Sequence, residues 1–110
     1  MNLSINSLSS FAKDVKKLYK KYKLIAQDLK VLQTTLQLHP KAGVELSNNC
    51  YKIRMANSST KSGKSGGFRV IYYYIDKQNN LYLMAIYSKT ELENISDEKI
   101  LEILQSNGLR

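Results

Sequence analysis

The sequence predicts an α+β fold: an N-terminal strand, a helical hairpin, a three-stranded antiparallel meander and a C-terminal helix. Three observations predict it. Apolar residues recur at helical spacing between positions 11 and 38. Three alternating or continuously apolar runs follow, at 50–56, 68–75 and 81–87, separated by turn-forming residues. An amphipathic segment with a serine at its start closes the chain. A length of 110 residues leads us to expect a single domain spanning 1–110.

The elements follow in order. Residues 2–7 alternate polar and apolar through Leu3 and Ile5, which suits a short strand. Ser7, Ser9 and Ser10 then offer helix caps. Phe11, Val15, Leu18, Tyr19 and Tyr22 mark the apolar face of a first helix, and Lys13, Lys16, Lys17, Lys20, Lys21 and Lys23 its other face. Those lysines read equally well as a solvated face or a phosphate-binding one. Ile25, Leu29, Leu32 and Leu36 mark a second helix, with Leu24, Val31 and Leu38 widening its stripe. It ends before Pro40, because proline disfavours helix at the preceding residue. Residues 40–49 read as a loop anchored by Val44 and Leu46.

In the run 50–56, Tyr51, Ile53 and Met55 take one face and Lys52, Arg54 and Ala56 the other, a half-buried strand. Residues 57–67 form a basic Gly/Ser-rich loop. The run 68–75 is apolar on both faces apart from Arg69 and the tyrosine hydroxyls, as in a central strand. DKQNN (76–80) is a turn and 81–87 the returning strand. Ser96 caps the last helix, Asp97 and Glu98 suit its dipole, and Asn107-Gly108 closes it.

Charge is the strongest compositional signal. Lys and Arg number 17 against 9 Asp and Glu, a net +8. The excess is uneven: residues 1–89 hold 15 basic and 4 acidic side chains, whereas residues 90–110 hold 2 and 5. Such a face attracts polyanions, nucleic acid among them. No apolar run approaches the roughly 20 residues of a membrane span. The first ten residues lack the basic and apolar regions of a signal peptide. With the lone Cys50, these features lead us to expect a cytoplasmic protein with no membrane partner.

Few motifs suggest chemistry. Gly63-Lys64-Ser65 resembles the end of a phosphate-binding loop, but Ser58 stands where that motif needs glycine, and a strand follows instead of a helix. His39 is the only histidine and Cys50 the only cysteine, so no metal site and no cofactor are expected. Most of the eight tyrosines read as core or half-buried, with one or two able to stack on bases. Arg54 and Arg69 are the sharpest candidates. Arginine within a Val/Ile/Tyr-rich strand needs solvent or an anion, and residues 1–89 hold few carboxylates to pair with it.

Four segments carry a resemblance: FAKDVKKL (11–18), CYKIR (50–54), GKSGGFRVIYYY (63–74) and LYLMAIYSKTE (81–91). With them the chain resembles the RelE/ParE superfamily of small bacterial toxins, most closely its HigB-type branch. The resemblance implies a RelE-like, microbial ribonuclease-type fold. It also implies the toxin of a type II toxin–antitoxin system, a ribosome-dependent endoribonuclease that cuts mRNA and inhibits translation. The implied partners are the ribosome, mRNA and a cognate antitoxin carrying a helix-turn-helix DNA-binding domain. The implied reaction is attack of the RNA's 2′-hydroxyl on the adjacent phosphate, which needs a base, a cation and an acid.

Position by position, the resemblance assigns Arg69 to phosphate stabilisation. Lys52 and Arg54 are assigned to substrate binding and transition-state charge, and Lys89 to acid or base. Lys61 and Lys64 would grip RNA, with Tyr87 and Glu91 flanking Lys89 as further RNA contacts. Two features depart from the pattern. Thr90 stands where some relatives carry arginine, and no functional tyrosine aligns in the last helix. Two alternatives stay open: a ParE-like DNA gyrase inhibitor, and a non-catalytic RNA- or ribosome-binding module.

Overall fold

The computed structural model describes residues 3–60 and 66–110. In order these form β1 (Ser4–Ser7), α1 (Ser9–Tyr19), α2 (Ile25–Leu38), β2 (Val44–Glu45), β3 (Cys50–Met55), β4 (Phe68–Ile75), a 3₁₀ turn (Asp76–Gln78), β5 (Asn80–Ser88) and α3 (Asp97–Ser106). The strands make one sheet in the order β1-β5-β4-β3-β2. β1 runs parallel to β5, and the other pairs are antiparallel. The α+β class, the helical hairpin, the meander and the closing helix are as the sequence predicts.

Two local differences have physical causes. The segment expected as loop contains β2, which pairs Val44 with Lys52 and Glu45 with Tyr51. Asn48 and Asn49 both hold positive φ (60° and 62°), and the Cys50 N–H reaches the Ser47 carbonyl. Two left-handed residues in a two-residue loop are what a type I′ hairpin turn needs, and asparagine tolerates them. Helix α1 stops at Tyr19, although apolar spacing continues to Tyr22. Tyr22 instead packs edge-on against Phe68, with ring centres 5.4 Å apart.

Helices cover both faces of the sheet. On one face Phe11, Leu18, Ile25, Leu32 and Leu36 of the hairpin region bury Tyr51, Phe68, Val70, Tyr72, Leu81, Leu83 and Ile86. On the other, α3 sets Ile100, Ile103 and Leu104 against Cys50, Ile71, Tyr73, Ala85 and Tyr87. A bulge sorts β5 between the two. Tyr72 pairs with Leu83 but Ile71 pairs with Ala85, which leaves Met84 as an extra residue. Leu81 and Leu83 therefore face the hairpin, while Ala85 and Tyr87 face α3.

β1 shields β5 only along Asn80–Leu83. Beyond that, α1 caps the edge with side chains one helical turn apart. Ser10 Oγ donates to the Met84 carbonyl at 2.6 Å, and the Asp14 carboxylate accepts the Ile86 N–H at 3.2 Å. Burial raises the Asp14 pKa above the usual aspartate value.

The Tyr72 hydroxyl ties the segment after α2 to the central strand. It donates to the Pro40 carbonyl at 2.8 Å and accepts the Gly43 N–H at 3.1 Å. A Cβ on Gly43 would stand 2.8 Å from the Lys52 carbonyl oxygen, so glycine permits this approach. Burial pushes Tyr72 up to about 12 and the Cys50 thiol up to about 11. Both groups fold neutral, so their contribution is complete below the unfolded values of 9.0 and 10.0. We expect stability to fall as pH rises through about 9 to 12, read by urea denaturation. Tyr72→Phe should cost about 1–3 kcal/mol at neutral pH, because Gly43 N–H and Pro40 C=O lose their partner. It should also flatten the upper part of that alkaline loss.

Candidate functional site

Strand register brings the predicted cations together. Arg54 of β3 lies directly opposite Arg69 of β4, and Arg69 lies opposite Tyr87 of β5. Lys52, two residues from Arg54, shares that face by strand alternation. It is the face covered in part by α3. Lys89 continues the ladder past β5, its N–H bonded to the Gly67 carbonyl at 3.1 Å. Lys52, Arg54, Arg69, Tyr87 and Lys89 thus form one row across three strands.

The row holds like charges in direct opposition, which is unfavourable without an anion nearby. Arg54 is exposed, whereas Arg69 is only 6% exposed and donates to the Phe68 carbonyl at 3.2 Å. Elsewhere on the surface, ion pairs join Lys21 to Glu91, Lys41 to Asp76 and Lys99 to Glu102. Burial raises the Tyr87 pKa; the Ile95 backbone N–H and the nearby Arg69 charge only partly oppose it.

Residues 93–95 fold back onto the row. Asn94 Oδ1 accepts from Tyr87 OH at 3.3 Å and from Lys52 Nζ at 3.4 Å. The Glu93 carbonyl accepts from Lys89 Nζ at 3.2 Å. Sequence reasoning missed Asn94. Nothing local marks it, since an asparagine shortly before a helix cap reads as ordinary loop.

Other candidates lie elsewhere. Glu91 does not join Lys89 and Tyr87. It turns toward α1, 3.3 Å from Lys21 Nζ and 3.4 Å from the Tyr22 hydroxyl. Next to it Ser88 and Thr90 share a hydrogen bond of 2.9 Å. Hydrogen bonding from Ser88 leads the causes that lower the Tyr22 pKa. Lys61, Lys64 and the Gly63-Lys64-Ser65 motif fall outside the described residues. The lysines of 13–23 belong to α1 and the turn after it, whose apolar side packs on the opposite face of the sheet; at the β5 edge Lys13, Lys17 and Lys21 line grooves that Tyr87 also lines.

Along the row, Arg54 and Lys89 are exposed, Lys52 is half-buried, and Arg69 and Tyr87 are buried. Tyr87 lines grooves of about 480 and 420 Å³ shared with α1. Grooves of about 620 Å³ at Pro40, Tyr74 and Asp76, and about 540 Å³ between α2 and β3, lie beside the row or away from it. Only Lys52 and Arg54 reach the second. Among the described residues no three His, Cys, Asp or Glu side chains converge to hold a metal, and no helix is long and apolar enough to cross a membrane.

No protein-family model matches the sequence. Solved structures do match the fold. A double arginine-to-alanine mutant of the E. coli toxin RelE in the free state has TM-score 0.59 and 16% identity, covering 96% of this chain and 98% of that one. The same mutant in complex with an antitoxin RelBc peptide gives TM-score 0.56 at 17% identity, over 93% and 94% of the two chains. The intact E. coli RelBE toxin–antitoxin complex gives TM-score 0.54 at 17% identity, over 78% and 95%. The fold is RelE-like.

The opposed arginines make a direct prediction. Arg54→Ala should leave folding intact and raise stability by about 0.2–1 kcal/mol in urea denaturation, because it removes a like-charge pair. The gain should shrink at high salt.

Proposed function

We propose that the 110 residues act as one toxin unit of a type II toxin–antitoxin system in the cytoplasm, and that the toxin cuts mRNA on the ribosome. The Arg54–Arg69–Tyr87 row carries this reading. It gathers positive charge that reaches the surface at Arg54, with a buried arginine and a phenol beside it. A phosphodiester is an anion suited to two opposed arginines, the exposed Arg54 foremost. The RelE-like fold supports the same reading, as does the net charge of +8. The HigB-type assignment rests on the four sequence segments alone.

In this mechanism the RNA's 2′-hydroxyl attacks the adjacent phosphorus. The P–O5′ bond breaks, leaving a 2′,3′-cyclic phosphate and a 5′-hydroxyl. Arg54 and Arg69 stabilise the charge that grows on the phosphate oxygens. Lys52 binds the backbone. Lys89 and Tyr87 serve proton transfer at the two ends. A phenol is protonated at neutral pH and can donate to the leaving 5′-oxygen, although burial raises the Tyr87 pKa and so weakens it as an acid. Lys61 and Lys64 grip RNA, and Glu91 acts only through Lys21 and Tyr22. A cognate antitoxin is the expected partner, since E. coli RelE is solved with RelBc and in RelBE. A gyrase inhibitor has no need of such a row.

The test is induced expression with pulse labelling of new protein and new DNA. Translation should stop first, with mRNA cut in ribosome-bound fractions. Arg54→Ala and Arg69→Ala should each slow cleavage by about 10²–10³-fold. A primary block in DNA synthesis would favour the gyrase reading. Full toxicity in both variants would sink the site assignment, and the exposed Arg54 keeps the test independent of folding.

A further inference from the structure

The row's donors already have a ligand, and it belongs to the same chain. Tyr87 OH and Lys52 Nζ converge on a single oxygen, Asn94 Oδ1, at 3.3 and 3.4 Å. Lys89 Nζ reaches the neighbouring oxygen, the Glu93 carbonyl, at 3.2 Å. Three donors from β3, β5 and the residue after β5 therefore meet two acceptors on consecutive residues. Both Glu93 and Asn94 are exposed, so neither is held there by burial.

These acceptors are neutral amide oxygens, and two of the three donors are ammonium groups. Hydrogen bonds from ammonium to an anionic oxygen are roughly twice as strong as neutral ones. A phosphate oxygen presented to Lys52 and Lys89 is the better partner, and the bonds it replaces are long and exposed.

Glu93 and Asn94 can be released without unpacking the fold. Upstream, the Ser88 carbonyl accepts the N–H groups of Glu91 and Leu92 at 3.1 and 3.0 Å, and Glu91 is held by Lys21 and Tyr22. Downstream, Ser96 caps α3 through the Lys99 N–H at 3.1 Å, and Ile100, Ile103 and Leu104 are buried. Ile95 packs half-buried against the α3-side core, so Glu93 and Asn94 alone form a short strap between two fixed points.

We propose that this strap is an internal stand-in for the RNA backbone. The Glu93 carbonyl and Asn94 Oδ1 hold positions that phosphodiester oxygens of single-stranded RNA take, so docking of the strap and binding of RNA exclude one another. Asn94 is then a residue that sets affinity without touching the substrate. The inference rests on the RNA-cleaving reading of the row.

The test is fluorescence anisotropy of a short single-stranded RNA with 2′-O-methyl riboses, which cannot be cut, titrated with the full chain at fixed salt. Asn94→Ala should bind about 3–10-fold tighter than the parent, the equivalent of one or two released hydrogen bonds. Asn94→Asp should bind at least as much weaker, because its carboxylate pairs with Lys52. In a Lys52→Ala/Tyr87→Phe background the gain from Asn94→Ala should vanish. Equal or weaker binding by Asn94→Ala, or a gain that survives in that background, overturns the strap and leaves RNA binding standing. Absence of RNA binding in every variant overturns the strap, while the RNA-cutting reading stands or falls separately on mRNA cleavage in ribosome-bound fractions.

Discussion

The pairing of β3 with β4 in one register is the constraint on which the rest of the molecule depends. Arg54 faces Arg69 because Tyr51 faces Tyr72 and Met55 faces Phe68. A slip of one residue would turn every β3 side chain to the other face. Arg54 and Lys52 would then enter the layer filled by Phe68, Val70 and Tyr72, where an unpaired charge is expensive. The register is held by more than the ladder. Tyr51 and Tyr72 stack with ring centres 5.1 Å apart and planes 11° from parallel. The Tyr72 hydroxyl then fixes Pro40 and Gly43, and through Gly43 the approach of β2 to Lys52. One buried tyrosine thus links the end of the helical hairpin, the edge strand and the position of the cationic row.

What could be read from the sequence was what depends on local periodicity. The alternation of 50–56 placed Tyr51, Ile53 and Met55 against Lys52, Arg54 and Ala56, as the fold bears out. The doubly apolar run 68–75 marked the central strand, and Ser96 marked the start of α3. The bulge at Met84 could not be read, because a strand buried on both faces gives no parity signal to break. Without it, Tyr87 would appear to share a face with Leu81 and Leu83. β2 escaped because a two-residue strand has no period, although Asn48-Asn49 carried the turn signal.

The candidate site shows the same division. Its strand members were legible, because register and alternation carry charge across a sheet predictably. Its loop members were not. Glu91 lies two residues from Lys89 in sequence, yet the turn bonded to the Ser88 carbonyl sends it to Lys21 and Tyr22. Asn94 lies 42 residues from Lys52 and becomes its neighbour only once β3, β5 and α3 are assembled. Proximity in the chain misled in one case and was silent in the other.

Size explains why the row sits at the margin of an otherwise dry layer. α3 has ten residues, about 15 Å of helix, whereas β4 has eight residues, about 26 Å of strand. Even laid lengthwise, α3 cannot cover the whole face. Its three buried residues, Ile100, Ile103 and Leu104, pack in one layer with Cys50, Ile71, Tyr73, Ala85 and, at the row's edge, Tyr87. The remainder of the face reaches solvent at Arg54 and Lys89, with Arg69 buried between them. A surface there must be polar, and strand alternation places the cations on it. The connection from β5 to α3 must cross this same ground, because β5 ends in the row and α3 begins beyond it. A loop crossing a field of donors folds most favourably with its carbonyl groups turned down onto them. The contacts of Glu93 and Asn94 with the row thus follow from the short helix and the path of the chain.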